Sequence, residues 1–187
     1  KEFGIDVNAK YISFSTTAYN LFISDMILWQ QMENGVWMPN NIKQVWSRGL
    51  EAKLKIQIKE LSIVGNYALT KSTNELATNP LDKTVGKQLR YVPLHKGNIA
   101  FIIKENDLQF SLNQSYTGEV ITTYGTLENK TLDAFMLTDV SLKYAAKNFP
   151  FTIEAKVKNL LGKSYTTYQN YPNPGRELLL TINYTIN

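Results

Sequence analysis

The sequence predicts an all-β fold: antiparallel up-and-down strands of a transmembrane β-barrel, about nine of them. Three observations predict it. Apolar residues recur with a period of two along most of the chain, tight and long connections alternate, and no apolar run reaches the ~18 residues that a transmembrane helix needs. Barrel strands need only ~9–11 alternating residues, so the missing helix leaves a strand-built membrane protein open.

The elements follow in order. Phe3, Ile5, Val7 and Ala9 alternate with Glu2, Asp6, Asn8 and Lys10 in a first strand that breaks near Lys10-Tyr11. A second strand runs from Ile12-Ser13-Phe14 toward Trp29. Residues 30–43 hold Glu33-Asn34-Gly35 and Met38-Pro39-Asn40-Asn41, turn chemistry that predicts a loop. Leu50, Ala52, Leu54, Ile56 and Ile58 then alternate with Glu51, Lys53, Lys55, Gln57 and Lys59 in the cleanest strand of the chain. A reversal at Lys59-Glu60 leads into Leu61, Ile63, Gly65, Tyr67 and Leu69, followed by a polar loop over 71–88. Strands over 98–104 and 108–112 meet at Glu105-Asn106-Asp107. After a long connection over 123–131, strands over 136–144 and 151–157 turn at Lys147-Asn148-Phe149-Pro150. Residues 162–175 form the last loop. In the terminal strand Leu178, Leu180, Ile182, Tyr184 and Ile186 share one face, and Thr181, Asn183, Thr185 and Asn187 the other.

The tight connections and the long ones therefore fall at opposite ends of the strands, as short periplasmic turns and long extracellular loops do in outer-membrane barrels. Tyr11, Phe14, Phe110, Tyr144, Phe149, Phe151 and Tyr184 gather toward the tight end, where an interfacial aromatic girdle belongs. Lys53, Lys55, Lys59, Glu154, Lys156 and Lys158 occupy polar faces, which in a wide barrel point into the lumen. The stripe of Leu54, Ile56, Ile153, Val157, Leu180 and Ile182 then faces lipid.

Composition excludes several function classes. Twenty Lys and Arg against 16 Asp and Glu leave a net charge of only +4, with no basic block, so nucleic acid is not an expected partner. Cysteine is absent, which removes disulfides, thiol catalysis and Cys-ligated zinc together. His95 is the single histidine, so a Ser-His-Asp hydrolase or a histidine metal site lacks parts, and a structural or interfacial role is expected for it. No calcium loop or glycine-rich phosphate cradle is present. Neither an enzyme activity nor a cofactor nor a metal is expected.

Glycine, proline and asparagine positions read as structural. Gly49 and Gly65 suit a bulge or a close backbone approach. Pro174-Gly175 suits a loop re-entering a strand, and Asn159 suits bonds to nearby backbone where a strand ends.

Four passages resemble the C-terminal barrel portion of TonB-dependent outer-membrane receptors of the kind seen in Bacteroidetes. They are Val45-Trp46-Ser47-Arg48-Gly49-Leu50-Glu51, Tyr91-Val92-Pro93-Leu94-His95-Lys96, Val157-Lys158-Asn159-Leu160-Leu161-Gly162-Lys163-Ser164-Tyr165, and Pro174-Gly175-Arg176. The motif residues are Gly49, Glu51, Pro93, Asn159, Leu160, Pro174, Gly175 and Arg176. Two positions depart from the pattern: Leu161 stands where an aromatic is usual, and Asn187 closes the chain where an aromatic is usual, so either Tyr184 carries the assembly signal or this end is atypical.

The resemblance implies a bacterial outer-membrane location and barrels of about 22 strands around an N-terminal plug. It also implies uptake of a large scarce nutrient, an iron–siderophore complex or a vitamin B12-like corrinoid, driven through TonB. On this reading residues 1–187 are a C-terminal barrel segment without the plug, finishing on the periplasmic side, with lipid, plug, the remaining barrel and an organic or metal-chelate ligand as partners. Trp29, Trp37, Tyr124, Tyr165, Tyr168 and Tyr171 place aromatic surface in the long loops and are the candidate ligand contacts. The rival reading is a self-contained lipocalin-like binding barrel with its apolar face turned inward. An envelope β-barrel enzyme is the third.

Overall fold

The structure, a computed structural model, describes residues 1–31, 36–77, 80, 82–124, 130–146 and 150–184, with the backbone alone at 28, 30, 31, 37 and 40–43. The described residues form thirteen strands: β1 Glu2–Asn8, β2 Ile12–Gln31, β3 Trp37–Ile58, β4 Leu61–Asn74, β5 His95–Glu105, β6 Leu108–Thr117, β7 Val120–Thr123, β8 Lys130–Leu132, β9 Phe135–Tyr144, β10 Phe151–Lys158, β11 Thr166–Tyr168, β12 Tyr171–Pro172 and β13 Glu177–Tyr184. Nine of them form one sheet in the order β1-β2-β3-β4-β5-β6-β9-β10-β13, with every neighbour antiparallel. The other four make two small hairpins, β7 with β8 and β11 with β12, inside the long connections.

The register sorts the side chains into two faces. Ile12, Ile56, Ile63, Phe101, Leu112, Val140, Val157 and Leu178 are successive cross-strand partners, so one row of the sheet is apolar on every strand from β2 to β13. The row below it, from Ile58 through Leu61, Ile103, Phe110, Leu142 and Ala155 to Leu180, is apolar as well. On the other face Ser15, Lys53, Asn66, Asn98 and Ser115 form one polar row, and Lys143, Glu154 and Thr181 another.

No second layer covers the apolar face among the described residues. Leu178 is 78% exposed and Leu180 69%, and the buried apolar residues reduce to Val45, Leu89 and Val120. A water-soluble sheet must bury one face against another element, and an inward-facing pocket would shield these rows. The lipocalin-like alternative is therefore corrected: the apolar face is the outer one, suited to lipid, with Lys53 and Lys156 on the opposite face as the alternation predicts.

The tight reversals stand where they are expected. Ile58 pairs with Leu61 around Lys59-Glu60, and Glu105 with Leu108 around Asn106-Asp107. Lys59 (φ 50°) and Asn106 (φ 53°) take left-handed backbone there, so Lys59 is a turn residue rather than part of a polar strand face. At the same end Phe151 packs on Tyr184, with ring centroids 4.8 Å apart, and Tyr144 pairs with Ile153 in the neighbouring row.

The expected loop over 30–43 is also corrected. β2 and β3 stay paired up to Gln31 opposite Trp37, with Trp29 opposite Pro39. The β3–β4 ladder begins only at Val45 opposite Asn74, so Pro39 sits in a two-stranded ribbon with an edge on one side. There its missing N–H breaks no second ladder. Likewise the loops expected over 71–88 and 123–131 start later or fold further: β4 runs to Asn74, and β7 and β8 form a hairpin. The Glu33-Asn34-Gly35 turn, the 147–149 part of the turn before Pro150, and Thr185, Ile186 and Asn187 lie outside the described residues.

Candidate ligand-capture surface at the long-loop end

The segment after β4 folds back along the top of that strand. Leu89 N–H donates to the Ser72 carbonyl at 2.7 Å and Thr70 N–H to that of Leu94 at 2.9 Å. The Gln88 amide joins the two, accepting from Ser72 N–H at 2.9 Å and donating to the Thr70 and Val92 carbonyls at 2.9 and 3.2 Å. Beneath it Val45 and Leu89 pack with Met26 and Val92, which anchors Pro93 and the re-entry into β5. Tyr91 (φ 59°) donates its N–H to the Ile121 carbonyl at 2.9 Å, tying this loop to β7.

On that base the loops assemble an aromatic shelf. Tyr91 stacks on Tyr168 with centroids 4.6 Å apart and planes 10° from parallel, and Tyr171 meets Tyr168 edge-on at 5.6 Å. The β11–β12 hairpin turns through Asn170 (φ 66°), so Tyr168 and Tyr171 are cross-strand partners that meet the ring of another loop. Tyr168 and Tyr171 are 50% and 67% exposed, which leaves an amphipathic surface facing outward.

The other expected ligand contacts divide. Tyr165 packs on Phe135 of β9 at 4.7 Å and supports the loop. Tyr124 donates its hydroxyl to the Gln88 carbonyl, with the Lys87 ammonium 5.4 Å from its ring centroid. Burial pushes the Tyr124 hydroxyl above its ordinary value, Arg90 opposing and Asp82 adding to the rise. Trp29 is exposed on the β2–β3 ribbon, and its carbonyl accepts a bond from Arg90 at 3.3 Å. Trp37 lies opposite Gln31 on the same ribbon, its side chain outside the described residues. Tyr91 is the shelf residue that sequence reasoning missed; its place in the re-entry passage before Pro93 was the available signal.

The motif residues act in the wall. Gly49 lies beneath the Tyr19 ring, whereas Gly65 has ordinary space around it. Glu51 stands on the polar face opposite Thr17 and Ala68. Asn159 (φ 48°) is buried and closes a three-way clamp: its N–H donates to Asp139 Oδ1 at 2.9 Å, its Nδ2 to the Lys163 carbonyl at 2.8 Å, and its Oδ1 accepts from Lys163 N–H at 2.8 Å. Leu160 N–H donates to the Thr138 carbonyl at 2.7 Å. Gly175 is not the residue with permissive backbone; Gly162 (φ 63°) is, and the Arg176 guanidinium lies 3.5 Å from where a Gly162 Cβ would stand. The motifs around Asn159 and Arg176 thus meet in space, and Lys158 pairs with Glu177 at 3.8 Å where β10 and β13 join. His95 Nδ1 shares a 2.7 Å hydrogen bond with the Tyr67 hydroxyl. Among the described residues no group of three or more acidic or histidine side chains is arranged to hold a metal.

An antiparallel wall with one lipid-compatible face, tight turns at one end and packed loops at the other defines a segment of an outer-membrane barrel. The family model described as "TonB dependent receptor-like, beta-barrel" matches residues 1–160, and the chain belongs to that family. It is 33% identical over 107 residues to the vitamin B12 transporter BtuB of Vibrio cholerae, an alignment covering 55% of this chain and 17% of that protein. Among solved structures it resembles the copper transporter OprC, with a TM-score of 0.80 and 16% identity over 99% of this chain and 30% of that one. It also resembles the siderophore receptor PirA from Acinetobacter baumannii, with a TM-score of 0.75 and 17% identity over 98% and 31%. The chain spans about a sixth of the curated relatives it matches. Its location is the bacterial outer membrane.

Proposed function

We propose that residues 1–187 form the C-terminal part of the barrel of an outer-membrane receptor that takes up a large scarce nutrient, with the plug and the TonB-contacting segment supplied by the rest of the protein. The chain binds and guides its ligand and performs no reaction on it. The supporting observation is the shelf of Tyr91, Tyr168 and Tyr171, in which rings from two loops meet above a lipid-facing wall. Such a surface suits an organic ligand or a metal chelate with flat, partly apolar faces. Trp29 adds exposed aromatic surface on the β2–β3 ribbon, whose backbone Arg90 ties to the Tyr91 loop.

The test is binding by the full-length receptor in detergent, with cyanocobalamin and a ferric catecholate chelate as probes and tryptophan fluorescence as readout. Tyr168→Ala is expected to weaken whichever probe binds by about tenfold, the loss of one stacked aromatic contact. Unchanged affinity for a bound probe would overturn the placement of the site.

A further inference from the structure

The apolar face ends abruptly on β3 and β4. Leu50 and Leu69 pair in its last apolar row there, and the next row on that face sets Arg48 opposite Lys71. Like charges directly opposite on one face of an antiparallel pair repel. Among the described residues no carboxylate lies within ion-pair distance of either. Glu75 is engaged by the Thr73 hydroxyl, which itself accepts from Arg48 Nη1 at 3.2 Å, and Glu51 belongs to the opposite face.

Aromatic rings frame the pair. The Arg48 guanidinium carbon sits 3.6 Å from the Trp46 ring centroid, and Phe22 stacks on Trp46 at 6.5 Å. Trp46 Nε1 donates to Asn20 Oδ1 at 2.6 Å, which fixes the indole and with it the guanidinium. Tyr67 and His95 stack beside them one or two rows lower. Trp and Tyr mark the depth at which lipid headgroups begin, and the long-loop end is the extracellular one.

We propose that Arg48 and Lys71 hold the phosphate of a phosphorylated lipid of the outer leaflet, its acyl chains lying over Leu50, Leu54 and Leu69. A guanidinium with a fixed plane and a neighbouring ammonium match a phosphate in charge and geometry. The anion relieves the repulsion across β3 and β4, and the apolar rows below receive the chains. The inference rests on the apolar face meeting lipid and is independent of the ligand read for the loops.

The experiment is native mass spectrometry of the full-length receptor in detergent with diphosphorylated lipid A, fully dephosphorylated lipid A, and inorganic phosphate as competitor. The phosphorylated lipid should be retained at least fivefold better than the dephosphorylated one. Lys71→Gln, at an exposed position that leaves the Arg48–Trp46 contact in place, should lower retention about fivefold. R48Q with K71Q should lower it further than K71Q alone, and R48K, which keeps the charge and loses the fixed plane, should lose part of it. K55Q, on the polar face, should retain lipid as the native protein does. Heat-modifiable gel migration reports that each variant is folded. Equal retention of the two lipids, native retention by folded K71Q and by the double variant, or displacement by inorganic phosphate at equal concentration would overturn the proposal.

Discussion

The Tyr19 ring of β2 lies across Gly49 of β3, its cross-strand partner, and carries its hydroxyl on to Thr70 Oγ1 of β4 at 3.1 Å. One side chain thus spans three strands. A Cβ on Gly49 would stand 2.7 Å from the Tyr19 hydroxyl oxygen and 2.1 Å from the Leu69 carbonyl oxygen, so backbone as well as ring would have to move. Gly49→Ala is expected to destabilise the barrel by ~1–3 kcal/mol. Tyr19→Phe, which keeps the ring and loses the bond, should cost ~1 kcal/mol. Urea unfolding of the full receptor in lipid vesicles measures both, and a neutral Gly49→Ala would contradict the close approach.

Leu54 stands midway along the apolar stretch of β3, on the outer face between Phe14 and Gly65. Leu54→Arg is expected to destabilise the vesicle-inserted barrel by ~2–4 kcal/mol, the penalty for a cation deep on the lipid face. Lys55→Leu, on the other face, should change stability far less. Equal effects in the same unfolding assay would mean that the faces are assigned wrongly.

Asn159 combines burial, left-handed backbone and two side-chain bonds to Lys163. Asn159→Ala loses both bonds and strains the backbone, for ~2–4 kcal/mol in total. Asn159→Gly relieves the strain but not the lost bonds and should fall between. The readout is protease cleavage within residues 160–176 of the assembled receptor, fastest in the Ala variant.

Tyr168 and Tyr165 are three residues apart yet differ in role. Tyr168 makes the shelf with Tyr91 and Tyr171, whereas Tyr165 packs on Phe135. Tyr165→Phe, which keeps the packing ring, should leave probe affinity within about twofold, against the roughly tenfold loss expected at Tyr168→Ala. Equal losses in fluorescence titrations would merge the two roles.

Tyr124 lies in a loop outside the membrane, and its raised hydroxyl pKa comes first from burial. A folded pKa above the unfolded value near 10.0 means that the folded loop binds the proton more tightly, so the stabilisation is intact below that pH and falls as pH rises through the folded value. Loop cleavage by a protease active in alkali should therefore accelerate above the unfolded pKa. Tyr124→Phe should flatten that rise while losing ~1 kcal/mol at neutral pH.

How much was legible in the sequence depends on what enforces each element. The sheet strands over 50–69, 98–112 and 136–157 show clean alternation because one face meets an apolar surroundings, and a single-residue slip would turn Ile56 or Ile153 to the polar side. The β2–β3 ribbon above Val45 lacks that discipline. Its Pro39-Asn40-Asn41 reads as a turn locally, and only the ladder bonds to β2 hold it extended. The candidate site was half legible for a similar reason. Tyr168 and Tyr171 announce themselves as loop aromatics, but the stacking of Tyr91 on Tyr168 joins residues far apart in the chain, and no local pattern encodes it.

The apolar row from Ile12 to Leu178 starts at the tight-turn end of β2, where Ile12 opens the strand, and reaches β10 at Val157, next to the long-loop end. A row perpendicular to the strands thus climbs from one rim to the other as it circles the wall, which is the shear of a barrel whose strands lean ~35–45° from its axis. The bilayer must then cut the rows obliquely. The neighbouring row bears this out, running Phe14, Leu54, Gly65 and Ile99 before turning polar at Gln114 and Thr138, which bond to each other at 3.4 Å. The lean of the strands is written into the polarity of a single hydrogen-bonded row.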